Sequence, residues 1–119
     1  MKLFGRSRSG PPVTGRPKPR QEYEQTRRHL EAFIRSHRGV EAFLEPRTSV
    51  TPPTVLLVAA TGEWTRRRVS DPSLVRGLAE NFAVPVYDVH LVGYPQRMRD
   101  WNERMRRTGR PDQGQASNG

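Results

Sequence analysis

VEAFLEPRTSVTPPTVLLVAATGEWTRRRV, residues 40–69, is the stretch on which the fold of this 119-residue chain turns. Its centre, TVLLVAA at residues 54–60, is apolar at consecutive rather than alternate positions, the pattern of a strand buried on both faces inside a sheet. VEAFLEP before it (residues 40–46) predicts a shorter strand, joined through the loop RTSVTPP. EWTRRRV after it (residues 63–69) predicts a third strand, with Thr61 and Gly62 as a two-residue hairpin turn whose glycine supplies the positive φ. Such a turn sets Trp64 opposite Ala59, Arg66 opposite Leu57 and Arg68 opposite Val55, with Arg67 on the other face.

On the N-terminal side, Tyr23, Thr26, Leu30, Phe33, Ile34 and His37 recur at three- and four-residue spacing and mark one stripe of a helix. Glu24 with Arg28 and Glu31 with Arg35 form i, i+4 pairs away from that stripe, and Gly39 is placed to stop the helix. On the C-terminal side, Asp71 followed by Pro72 predicts an N-cap and a first-turn proline. Leu74, Val75, Leu78, Ala79 and Phe82 then mark the buried face of a second helix. VPVYDVHLV (residues 84–92) predicts a fourth strand, reached by a helical crossover. Pro95 opens a last helix with Met98, Trp101 and Met105 inward and Arg97, Arg99, Arg104, Arg106 and Arg107 outward. The predicted fold is α+β, two layers, helices packed on a small mixed sheet in the order α-β-β-β-α-β-α.

Charge divides the chain differently. There are 21 Lys and Arg against 12 Asp and Glu, a net +9. Residues 1–20 hold six of those cations and no acid, whereas residues 39–94 hold five arginines and six acids. The first 20 residues are also rich in Gly and Pro, which predicts a disordered basic arm; residues 21–107 then form a single α+β domain, and residues 108–119 a disordered tail. The chain has no cysteine, which excludes disulfides, thiolate nucleophiles and Cys-ligated metal centres. No stretch approaches the roughly 20 apolar residues of a membrane-spanning helix, and the N-terminus lacks the apolar core of a secretory signal, so a cytoplasmic protein is expected.

Three constellations bear on function. Arg6, Arg8, Arg16, Lys18 and Arg20 are candidate phosphate contacts, which points to RNA or a ribonucleoprotein as partner. Trp64, Arg66 and Arg68 share one face of a strand, where an aromatic ring beside two guanidinium groups suits base stacking. The competing reading has Trp64 covering the sheet edge and the arginine stems lying over Leu57 and Val55 with their heads in water. Asp88 and His90, two apart on the fourth strand with Tyr87 beside them, are weak catalytic candidates: a carboxylate that orients an imidazole makes a general base. No nucleophile motif accompanies them, and a solvated strand face accounts for the same residues. The histidines His29 and His37 stand eight apart, not the four that let both reach one metal, and no glycine-rich phosphate loop follows TVLLVAATG. Neither metal nor cofactor is expected. A non-catalytic binding module is therefore the leading expectation. A small oxidoreductase-like enzyme with an unknown cofactor is the alternative. A protein–protein adaptor using Tyr94, Met98 and Trp101 is the third, although the same spacing docks the last helix on the sheet.

The helix-strand-strand-strand-helix order of residues 23–82 resembles the double-stranded-RNA-binding domain in topology alone. Where that family grips phosphates with a lysine cluster at the start of its second helix, this chain has Ser70, Asp71, Pro72 and Ser73. At the level of residues, QEYEQTRRHLEAFIRSHRGVEAFLEPRT, GEWTRRRV and VPVYDVHLVGYPQRMRDWNER resemble a family of short uncharacterised actinobacterial proteins, over about residues 20–107. Some members of that family are loosely labelled oxidoreductase; the resemblance implies no catalytic residues and no cofactor.

Overall fold

A computed structural model of the chain describes residues 19–109. Helix α1 (Pro19–Ser36) leads into strands β1 (Glu41–Glu45), β2 (Thr54–Val58) and β3 (Trp64–Arg68). Helix α2 (Pro72–Phe82), strand β4 (Val86–Asp88), the short helix α3 (Val89–Val92) and helix α4 (Gln96–Arg107) follow. The α+β class and the order of elements are those expected from sequence, with α3 as an addition. Residues 1–18 of the basic arm and 110–119 of the tail lie outside the described residues. Arg20 is already helical, so α1 begins before the boundary expected at residue 21.

The strands lie in the order β3-β2-β1-β4, antiparallel except for the parallel β1 and β4 pair. β2 is interior, and its alternation feeds two cores. Val55 and Leu57 pack with Ala42 of β1 beneath Leu30 and Phe33 of α1 and Leu74 and Leu78 of α2. Leu56 and Val58 pack on the opposite face with Phe43, Trp64 and Met98 of α4. Burial of each such leucine is worth about 1.5–3 kcal/mol, so consecutive apolar residues in β2 are stabilising on both sides. Helices thus lie on both faces: the expected two layers are joined by α4 over part of the second face. α2 starts as predicted, with the Asp71 carboxylate accepting from Ser73 N–H at 2.9 Å ahead of Pro72.

The hairpin departs from the expected register. Val58 pairs with Trp64, Leu56 with Arg66 and Thr54 with Arg68, one residue off the pairing that a two-residue turn dictates. The ladder closes with Ala59 N–H donating to the Glu63 carbonyl, and Gly62 N–H donates back to Ala59, so the loop holds three residues, Ala60 to Gly62. Gly62 takes the left-handed position of that loop at φ 95°. Because side chains alternate, the slip moves Arg66 from Leu57 to Leu56, onto the α4 side of the sheet. The same ladder directs the backbone N–H and C=O groups of Trp64, Arg66 and Arg68 away from β2, toward the free edge of the sheet.

Strand β4 is shorter than predicted. It ends at Asp88, whose carboxylate accepts from the backbone N–H of His90 at 2.8 Å and caps α3. Residues 89–92 are therefore helical, and the β-branched valines there lose to a capping aspartate. Arg97, expected to point outward, turns in: it donates to the carbonyls of Ala59 and Val58 and to Glu41, pinning α4 on the hairpin turn.

Gly62 is where α4 meets that turn. A Cβ there would lie 2.1 Å from the Arg97 carbonyl oxygen and 2.8 Å from its carbon, in a backbone conformation already unfavourable to other residues. Gly62→Ala is expected to lower stability by about 2–4 kcal/mol in urea denaturation. A loss below about 0.5 kcal/mol would show that α4 is not seated on the turn.

Candidate functional site

The C-terminal end of β3 opens into a groove of about 1290 Å³. Four arginines, Arg66, Arg67, Arg68 and Arg99, line it against two carboxylates, Glu22 and Glu45. It is therefore electropositive, and alternation places Arg67 on the α1 side and Arg66 and Arg68 on the other. The groove straddles the end of an edge strand.

On the α4 side, Glu45 is the fixed point. Its carboxylate accepts from Arg66 Nε at 2.8 Å and Nη2 at 3.1 Å, from the Thr54 hydroxyl and from the Tyr94 hydroxyl. Burial pushes the Glu45 carboxyl up, but those hydrogen bonds outweigh it and hold the group below the ordinary carboxylate range. Burial, then the Glu45 contact, pushes the Tyr94 phenol up, so its proton stays in place. Arg66 is neutralised there, and its guanidinium also lies 5.2 Å from the centre of the Trp64 ring.

On the α1 side, Arg67 is half-buried and donates only to neutral acceptors: its neighbour's carbonyl, Arg66 O, at 2.9 Å and His29 Nδ1 at 3.2 Å. Burial lowers its pKa, yet a guanidinium keeps its proton. A guanidinium can only donate, so His29 Nδ1 is the acceptor and the imidazole proton sits on Nε2, which donates to Thr65 Oγ1 at 2.7 Å. His29 thus points a proton at Thr65 and does not activate that hydroxyl as a nucleophile. Burial first and Arg67 second push the His29 pKa below its ordinary value, in agreement with a neutral ring. Among the described residues, no ion pair joins Arg67, Arg68 or Arg99 to a carboxylate.

The sequence-predicted site residues scatter. Arg6, Arg8, Arg16 and Lys18 lie outside the described residues, and Arg20 is exposed on the first turn of α1. Trp64 is 3% exposed, sits in the core beneath α4 and donates its indole N–H to Asn102 at 2.7 Å, so no base stacks on it. The expectation of a stacking platform at Trp64 is thereby corrected. Arg66 is spent on Glu45; Arg68 is exposed and lines the groove. Asp88 and His90 do not share a strand face, because Asp88 caps α3 through the His90 backbone rather than its ring. Tyr87 packs on Phe43 at 5.4 Å and points its hydroxyl at Glu41. Met98 is buried and Trp101 packs beside it, so both dock α4, whereas Tyr94 lines the groove. The expected pair of Glu24 with Arg28 is replaced by Glu24 with Arg27, one residue closer. Among the described residues no three His, Asp or Glu side chains converge as metal ligands.

Sequence reasoning missed His29, Arg67, Arg99 and the groove role of Tyr94. Arg67 had a signal: the middle of three arginines must oppose its neighbours and meet whatever helix covers that face. Comparison with protein-family models, with curated proteins and with solved structures finds no match to this chain.

His29 gives the site a pH signature. Its folded pKa lies below the unfolded value of 6.5, so the folded state binds fewer protons there and its stability is complete above that pH. As pH falls below the unfolded value, that contribution is lost. Thermal melts from about pH 7.5 to about pH 5.5 are expected to show a steeper decline for the wild type than for His29→Gln. Parallel declines would place His29 in water.

Proposed function

We propose that this chain is a non-catalytic cytoplasmic binding module that contacts RNA or a ribonucleoprotein through the arginine-lined groove at the end of β3. The supporting observation is Arg67: a half-buried cation whose partners are a carbonyl and a neutral imidazole, facing a cavity shared with Arg68 and Arg99. Buried charge is normally met by opposite charge, and here the described residues supply none to Arg67. A phosphate oxygen meets that requirement, and Arg is the side chain whose donors match it best. The basic arm adds charge of the same sign, with Arg6, Arg8, Arg16, Lys18 and Arg20 as further phosphate contacts. No helix among the described residues is long and apolar enough to cross a membrane.

Counterion release makes this testable. RNA affinity, read by fluorescence anisotropy, is expected to fall steeply from about 50 to about 200 mM salt. Arg68→Ala and Arg99→Ala, both at exposed positions, should each reduce the slope of log K against log salt by about 0.7–0.9 and weaken all sequences alike. Absence of any RNA affinity at low salt ends the proposal.

A further inference from the structure

Tyr94 is the groove's available aromatic. Its side chain is 38% exposed, and its hydroxyl is anchored on Glu45, itself held by Arg66 and Thr54. The ring is therefore fixed at one end, and among the described residues no other ring or cation stacks on it. Arg99 and His90 line the same groove, and Arg67 lines it from the opposite face of β3. The cavity exceeds the roughly 300–1,000 Å³ of pockets that enclose a small ligand, and it bends around β3 rather than lying on one face.

We infer that the groove takes single-stranded rather than duplex RNA, with phosphates on Arg67 and Arg68 and a base stacked on Tyr94. This rests on the RNA contact proposed above. A single strand turns sharply between successive phosphates and presents its bases for stacking; a duplex keeps its bases inside and is recognised over about 16 base pairs by shape. A path from Arg67 to Tyr94 crosses a strand edge, which a stiff rod does not follow. A free aromatic face also has no use for a duplex, whose bases are already stacked.

The test compares an oligouridine of about ten nucleotides with an RNA duplex of about 16 base pairs at one low salt concentration. Single-strand binding is expected to be at least about tenfold tighter. Tyr94→Leu should lower single-strand affinity about tenfold with little effect on residual duplex affinity, and Tyr94→Phe should recover most of the loss. Thermal melts establish that each variant is folded. Independently of any variant, photocrosslinking of a 4-thiouridine oligonucleotide to the wild type should mark Tyr94 or its neighbours. Equal duplex and single-strand affinity, with Arg68→Ala weakening both, would overturn the single-strand assignment and leave RNA contact standing; binding of neither would remove both. Displacement of the oligonucleotide by an equal concentration of a polyglutamate peptide of similar length would reduce the groove to a charge trap and overturn the assignment as well.

Discussion

The carboxylate of Glu45 is the joint on which this molecule depends. It stands at the end of β1, next to the centre of the sheet, and accepts from β2 through Thr54, from β3 through Arg66 and from the turn before α4 through Tyr94. One side chain therefore ties three strands and the entry to the last helix. Its charge is the requirement: each partner is a donor, and only an ionised carboxylate accepts from all of them at once. A smaller arrangement serves the other end of β1, where Glu41 accepts from Arg97 of α4 and Tyr87 of β4. Two glutamates four residues apart on one strand point to the same face, and between them Phe43 is buried in the second core. An apolar residue flanked by acids lets α4 be held by polar contacts around a small hydrophobic centre.

That economy explains why the second face is only partly covered. α4 is strongly polar, burying Met98 and leaning on Trp101, and it closes only the half of the sheet near Trp64. The other half, around Thr54, Arg66 and Arg68, stays open and forms one wall of the groove. The α1 side is built the opposite way, with two long helices over a large apolar core. The larger apolar core lies on the α1 face and the smaller one on the α4 face, and β2, apolar on both sides, is what lets the two coexist.

The elements were legible in the sequence wherever a local signal decided them. The 3.6-residue stripe of α1, the Asp71 cap with Pro72 and the continuous apolar run of β2 all reappear, because each depends on neighbours in the chain. Register and strand length were not legible. Two- and three-residue loops both accommodate a glycine at Gly62, and only the closure of Ala59 on Glu63 separates them. Val84 to Val92 is β-branched enough to pass for one strand, but Asp88 offers its carboxylate to the backbone two residues on, and that capping bond starts a helical turn instead. The site suffered most, since a one-residue shift exchanges the faces of every arginine in β3. Trp64 and Arg66, which looked exposed, are committed to Asn102 and Glu45; Arg67, which looked incidental, meets His29.

Arginine does two opposed things in this protein, and pairing separates them. Arg66 is matched bidentately to Glu45 across the sheet, and Arg97 of α4 to Glu41 and two backbone carbonyls, so that a donor with several hydrogen bonds holds elements together. Arg27 bridges Glu24 and Glu31 along α1 and steadies a single helix. Arg67, Arg68 and Arg99 have no such match, although Glu22 and Glu45 line the same cavity. Glu45 is saturated by its own donors, and Glu22 is exposed on α1, where water screens it. Other arginines without an ion pair among the described residues, such as Arg76 on α2 and Arg99 on α4, stand on exposed helix faces, where hydration is easy. Arg67 is instead half-buried, at a cost in desolvation that neutral acceptors only partly offset. A fold that leaves one guanidinium in that position, and opens a cavity beside it, is stabilised further by any anion that enters.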